Sequence, residues 1–224
     1  MILDFKAVLI IAMLTLVVKS KNCNSIDTTF LNNDTIIEEL KCYETGNKKY
    51  LRSKKNGKIH GKCKAWYPNG QLIYITQYKN GKPDDLHRGW DSTGFLSLEK
   101  NYDNGKPIGE HKQYYGKDKP KRFTRYNNKG EKHGWEVFWY DNGNVKDSIF
   151  FQNDSTFKRK TFYYNGKIAI REKDIYSSYD AVSYAPEGKK TGFIENGNGE
   201  IFVCDSVGKN CKSLKFKNGK QVFK

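Results

Sequence analysis

Gly57-Lys58-Ile59-His60-Gly61-Lys62-Cys63-Lys64-Ala65-Trp66-Tyr67-Pro68-Asn69-Gly70-Gln71-Leu72-Ile73-Tyr74-Ile75-Thr76-Gln77-Tyr78-Lys79-Asn80-Gly81 decides how this chain folds. The stretch ends where it begins, on a glycine, and then starts again: Gly57, Gly81 and Gly105 recur every 24 residues, with Gly130 one residue late. On that frame aromatic residues fall at Trp66, Trp90, Tyr114, Trp139 and Tyr163, and a second series at Tyr78, Tyr102, Tyr126 and Phe151. Two independent series on one period mark an internal repeat. Between them lies a turn signal, Asn69-Gly70, Thr93-Gly94 and Asn142-Gly143; Asn165-Gly166 comes one residue early and the third repeat has Asp118-Lys119 instead. Asn-Gly between short alternating segments marks a hairpin, since both central residues of a type I′ turn have positive φ. Each repeat therefore reads as one β-hairpin closed by a type I′ turn.

Alternation agrees with this reading. In Gly134-Trp135-Glu136-Val137-Phe138-Trp139-Tyr140, the residues Trp135, Val137 and Trp139 share one face, and Phe138 and Tyr140 the other. A second turn at Asn80-Gly81 and Asn104-Gly105 joins hairpin to hairpin. The expected fold is all-β: an elongated antiparallel meander of tandem hairpins with a period of 24–25 residues, a single-layer, solenoid-like sheet. Each hairpin advances such a sheet by roughly 10 Å, because strands lie about 4.8 Å apart. The frame extends upstream to Thr45-Gly46, with Cys42 in the Trp66 position, and downstream to Gly208, Phe216 and Asn218-Gly219. The resulting plan is a degenerate capping repeat within 21–56, five repeats over 57–176, an irregular loop at 177–193 around Ala185-Pro186-Glu187-Gly188, and a last repeat over 194–224.

Residues 1–20 read differently. Ala7 to Val18 are mostly apolar behind Lys6, and Val18-Lys19-Ser20 suits a cleavage site, so this segment is expected to be a signal peptide and the protein exported. The apolar run falls short of the ~20 residues that span a bilayer as a helix. An uncleaved anchor and lipidation at Cys23 are the alternatives; polar Ser20-Lys21-Asn22 just upstream disfavours the second. With 37% hydrophobic and 14% aromatic residues the chain is too apolar to stay disordered. It contains no phosphate-binding Gly-rich loop and no Gly-x-Ser-x-Gly nucleophile elbow.

The unit Gly-Lys-x-x-Gly, then Trp-Tyr-x-Asn-Gly-x-Leu, then Tyr-x-Asn-Gly-Lys resembles the MORN-type repeat in its bacterial variant. The likeness is best in Gly57 to Gly81 and Gly130 to Asp154, and poorer in Gly81 to Gly105, where Asp91 replaces the second aromatic. Chains with such repeats include bacterial proteins labelled as antitoxin components of the YwqK family and eukaryotic membrane-associated scaffolds. The resemblance implies non-catalytic binding and no cofactor. Export sits poorly with neutralising a cytoplasmic toxin.

Candidate functional residues follow from chemistry and spacing. His60, His87, His111 and His133 come one per repeat, roughly 10 Å apart on the strand spacing, whereas zinc holds its ligands at about 2 Å; no shared metal is expected. Five cysteines in an exported chain are disulfide candidates. A two-residue turn at Val207-Gly208 would set Cys204 opposite Cys211, within reach of a disulfide. Cys42 and Cys63 sit at an odd offset in the repeat frame, on opposite faces, so Cys23 is open as the partner of either. The aromatic ladder either holds the sheet together or offers a platform for carbohydrate or peptide. Net charge is +15, or +14 once Lys6, Lys19 and Asp4 are set aside, which attracts anionic surfaces or an acidic protein and also keeps sheet edges from aggregating. Nucleic acid suits the charge, but not export, and no recognition motif is present. A glycan hydrolase would need two carboxylates about 5–10 Å apart, and Glu136 and Asp147 are not evidently so placed. The expected function is an exported, non-catalytic scaffold binding a protein partner or anionic surface in the cell envelope; the alternative is an antitoxin or immunity protein that binds its toxin directly.

Overall fold

A computed structural model describes residues 23–31, 34–173 and 179–223; the expected signal peptide lies outside them. One antiparallel sheet holds every strand. In chain order these are β1 (Ile26–Leu31), β2 (Asp34–Cys42), β3 (Lys48–Lys55), β4 (Lys58–Ile59), β5 (Gly61–Trp66), β6 (Leu72–Lys79), β7 (Lys82–Pro83), β8 (Asp85–Trp90), β9 (Leu96–Asp103) and β10 (Lys106–Gly116). There follow β11 (Lys119–Tyr126), β12 (Lys132–Trp139), β13 (Val145–Gln152), β14 (Ser155–Phe162), β15 (Ile168–Lys173), β16 (Asp180–Tyr184), β17 (Lys190–Glu195), β18 (Asn198–Val203), β19 (Lys212–Lys217) and β20 (Lys220–Val222). Pairing runs between neighbours in sequence throughout, so the sheet is an open meander of hairpins. β4 and β5 are two parts of one strand, since both pair with β3; β7 and β8 likewise both pair with β6.

Two kinds of turn close the hairpins, one along each edge. On the first edge Tyr67 N–H donates to Gln71 O, and Gly70 N–H to Tyr67 O. The same pair of bonds recurs at Tyr43–Asn47, Asp91–Phe95, Tyr140–Asn144, Tyr163–Lys167, Ala185–Lys189 and Asp205–Lys209. Here glycine alone takes positive φ, +88° at Gly70, which is a type I turn followed by a bulge. The expected type I′ turn at Asn69-Gly70 is therefore corrected: the loop is longer, and Asn69 keeps negative φ while its side chain caps Gln71 N–H at 3.1 Å. True two-residue turns line the other edge, where Asn56-Gly57, Asn80-Gly81, Asn104-Gly105, Asn196-Gly197 and Asn218-Gly219 all have both φ values positive. In the middle repeat the longer type, at Asn127–Glu131, moves to this second edge.

Consecutive turns are bonded to one another. Tyr43, Tyr67, Tyr115, Tyr140 and Tyr163 donate their hydroxyls to the carbonyls of Trp66, Trp90, Trp139, Phe162 and Tyr184, one repeat onward. Asn47, Asn69 and Asn142 donate side-chain N–H groups to carbonyls of the next turn. On the opposite edge Gly81 N–H reaches Ile59 O, Gly105 N–H reaches Pro83 O and Gly219 N–H reaches Gly197 O, at 2.7, 2.7 and 2.9 Å. Each bond satisfies a backbone group that the end of a hairpin would otherwise leave to water.

The span 177–193, expected to be irregular, carries β16 and β17 joined by the turn at Ala185–Lys189. Short strands hid it, together with Ala185 in place of the tyrosine that usually follows the strand-ending aromatic, here Tyr184. Here neighbouring strands approach closely: a side chain on Gly192 would lie 2.4 Å from Glu200 O. Bare backbone at that point lets Ser183 Oγ, fully buried, accept from Phe202 N–H at 3.1 Å. Ala181, Ile194 and Ile201 pack into a small core with Leu214 and Phe216 against it.

Tyr140→Phe removes one turn-to-turn bond, Tyr140 Oη to Phe162 O at 2.9 Å, while keeping the ring. It is expected to cost about 0.5–1.5 kcal/mol, read as a lower denaturant midpoint at unchanged slope.

Candidate functional site

Alternation gives the sheet two unlike faces. Between Cys63 and Phe151 the buried residues are Cys63, Ala65, Thr76, Gly89, His111, Thr124, Glu136 and Phe151, and the register puts all of them on one face. Its centre line is polar: Thr76, His87, Lys100, His111, Thr124 and Glu136 follow one another across consecutive strands. The opposite face is open to solvent. Its centre line runs through Lys64, Ile75, Arg88, Glu99, Lys112 and Phe123, then through Val137, Ser148, Lys160, Arg171, Val182 and Phe193 to Glu200 and Lys215. That unbroken row holds six cations against two carboxylates.

The two aromatic series take distinct places. Trp66, Trp90 and Trp139 end their strands just before a turn, and Tyr114 lies two residues before the end of β10; each follows a register shift, and they pair with Leu72, Leu96, Val145 and Pro120. Phe162, paired with Ile168, holds the equivalent place in the next repeat. Tyr163 thus belongs one position later, with Tyr140, as its turn and its hydroxyl bond show; the early Asn165-Gly166 had displaced the frame. Tyr78, Tyr102, Tyr126 and Phe151 lie opposite Gly61, Asp85, Gly109 and Gly134. All four partners have positive φ, between 63° and 93°, so each ring sits across from a left-handed kink where glycine is favoured. The tyrosine that follows the strand-ending aromatic, with its role in joining repeats, was missed in the sequence; its recurrence at Tyr67, Tyr115 and Tyr140 is the signal that marks it.

Two hollows open on the shielded face. One, of about 270 Å³, is lined by Tyr50, Arg52, Cys63, Ala65, Tyr74 and Tyr78 among others. The second, of about 210 Å³, is lined by Lys100, Tyr102, His111, Gln113, Arg122 and Tyr126 with Thr124 and Pro107. His111 lies between the Tyr102 and Tyr126 rings, 5.4 and 4.6 Å from their centroids, and Nε2 donates to Asn101 O at 2.8 Å. His87 Nδ1 bonds Thr76 Oγ1. Burial holds both imidazoles below their ordinary range, reinforced by Lys100, so both are neutral at pH 7. His60 and His133 instead meet Asn80 and Asn153 at the turns. Among the described residues no three His, Cys, Asp or Glu side chains come together as a metal cluster.

Carboxylates on this face are matched to cations. Glu136, with 3% of its side chain exposed, accepts from Arg122 at 2.5 Å, from Lys132 at 3.0 Å and from Thr124 at 3.0 Å. Burial pushes its pKa up, but these bonds and charges outweigh it and leave the carboxyl below its ordinary range. Asp147 is held by Arg159 in a two-pronged pair, at 2.6 and 3.1 Å. Each of the two carboxylates weighed for hydrolysis therefore has its own guanidinium. Glu172, facing Arg159, is raised by burial against the opposing pull of Arg159 and of the Tyr179 hydroxyl.

Disulfides join Cys23 to Cys42 and Cys204 to Cys211, while Cys63 is free and buried. The loop between Cys204 and Cys211 is not the expected two-residue turn. Asp205 caps Val207 and Lys209 N–H groups, and Gly208 N–H returns to Asp205 O.

Residues 59–80 match the family model of the MORN repeat variant, which supports a MORN-type repeat protein. The matched segment is one hairpin, from β4 through β6, with the Tyr67–Gln71 turn at its tip. No curated protein matches the chain.

An acid whose pKa is raised on folding binds protons more readily folded than unfolded, so stability falls as pH rises from the ordinary value, 4.5, through the raised one. Glu172→Gln is expected to stabilise the fold at pH 7, and the gain should vanish below about pH 4. Denaturant titrations at the two pH values measure it.

Proposed function

We propose that this chain is an exported, non-catalytic repeat scaffold that binds an acidic protein or an anionic surface in the cell envelope. The observation that carries this reading is the open face, where cations from Lys64 to Lys215 line up across the sheet with Phe123, Trp135, Phe150 and Phe193 beside them. Trp135 and Phe193 are 39% and 64% exposed, and Lys158 stands 5.5 Å from the Phe150 centroid. Aromatic rings interleaved with ammonium and guanidinium groups suit a partner that is negatively charged and partly apolar. MORN repeats are commonly involved in binding, which supports the same reading.

Two disulfides favour an oxidising compartment and so favour export over the alternative of an antitoxin acting in the cytoplasm. Among the described residues no helix is long and apolar enough to cross a membrane. On this reading the scaffold meets the envelope through a face, and the turn-to-turn bonds keep that face in register along its length.

The reading is tested by N-terminal mass analysis of native protein from separated cytoplasmic and envelope fractions. Protein that starts at Lys21, lies in the envelope fraction and has both disulfides closed is expected. Intact chain in the cytosol with reduced cysteines would overturn the export reading and put toxin neutralisation first.

A further inference from the structure

We propose that copies of this chain join head to tail, the outer edge of β20 in one copy pairing with the outer edge of β1 in the next, so that the sheet continues across the junction. Among the described residues β1 pairs with β2 alone and β20 with β19 alone. Among those residues, therefore, no further strand covers the outer edge of either end. Leu40 N–H donates to Ser25 O, and the alternation of antiparallel bonds then turns the N–H and C=O groups of Ile26 and Thr28 away from β2. Across the two-residue turn at Asn218-Gly219, Lys217 and Lys220 form the closing pair. Gln221 consequently directs its backbone groups outward.

Strand direction suits this junction. Because β4–β5 and β7–β8 are each one interrupted strand, the twenty segments make eighteen strands that alternate in direction. With an even number, β20 runs opposite to β1. A second copy placed by simple translation along the sheet thus meets the first in antiparallel register, shielded face continuing shielded face. A heterologous contact of this kind does not close on itself and grows as a filament.

Charge selects the same pairing. β1 and β2 carry Asp27, Asp34, Glu38 and Glu39 against Lys41. β19 and β20 carry Lys212, Lys215, Lys217 and Lys220 and no acid. These acids have partners within the chain, Glu39 with Arg52 and Asp34 with Lys55 among them, yet the two end hairpins keep opposite net sign. Pairing β20 with β20 would bring lysines together, and pairing β1 with β1 would bring carboxylates together; only the mixed junction is attractive. Lysine on an edge strand is a common guard against aggregation, and β20 has it. β1, Ile-Asp-Thr-Thr-Phe-Leu, has none and leaves Ile26 61% exposed, matched at the other end by Val222 and Phe223 at 49% and 81%.

Sedimentation velocity on the purified protein tests this, with two edge-blocked variants. Thr28→Pro and Gln221→Pro each remove one outward N–H and no bond to the neighbouring strand; circular dichroism checks that both remain folded. The native protein is expected to grow in mass with concentration past the dimer, and to shrink as salt is raised. Each variant alone should be monomeric. An equimolar mixture of the two should form a dimer and stop there, since each supplies the edge that the other lacks. A native protein that is monomeric at every concentration, a plateau at the dimer, or folded variants whose mixture stays monomeric would each overturn the proposal. Lys220→Glu, which leaves the backbone edge intact, should also weaken growth; growth unchanged by it and by salt would remove charge as the selecting force.

Discussion

A sheet one layer thick has no opposing layer to bury its side chains against, so the hydrogen bond from each turn to the next becomes the interaction on which the rest depends. Strand ladders alone fix neighbours along the sheet but leave the hairpin ends to fray. In this chain the ends are tied twice, by tyrosine hydroxyls reaching carbonyls one repeat away on one edge, and by glycine N–H groups reaching carbonyls in or just after the preceding turn on the other. Each bond is worth only about 1 kcal/mol net. Repetition makes the sum matter, and a repeat length held near 24 residues brings donor and acceptor together in one repeat after another, Asp91 being the position without the tyrosine.

That lateral order shapes the electrostatics. One face collects its polar groups in a buried line, where every carboxylate with a large stake in stability has a guanidinium beside it: Glu136 with Arg122, Asp147 with Arg159, Glu39 with Arg52. Burial meanwhile keeps His87 and His111 neutral. The surplus of positive charge is displaced to the open face and to the turns. In a repeat protein built this way the same period specifies the fold and the side chains that each face presents.

Much of this was legible in the sequence. The 24-residue period, the two aromatic series, the hairpin meander and the terminal frame around Gly208 and Asn218-Gly219 all follow from spacing, because a β-hairpin has few ways to close and each leaves a glycine or asparagine behind. What was not legible depended on atoms that spacing does not show. Asn69-Gly70 and Asn80-Gly81 look alike, yet loop length gives Asn80 a positive φ and leaves Asn69 negative. Tyr163 was displaced by one position because the turn after it arrives early. β16 keeps a strand-ending aromatic, Tyr184, but Ala185 replaces the tyrosine after it, and the strands here close up on Gly192 and Ser183. The tyrosine hydroxyls escaped notice because their acceptors are backbone carbonyls, which every residue possesses.

Hydrogen exchange at single-residue resolution tests the central claim most directly. If turn-to-turn bonds hold the sheet, the amides of Gly81, Gly105 and Gly219, which donate to Ile59, Pro83 and Gly197, exchange as slowly as strand amides such as those of β6 and β9, despite sitting in two-residue turns on the surface. Exchange at the rate of unprotected loop amides, with the strands still protected, would show that the ladders alone hold the sheet and would contradict the account.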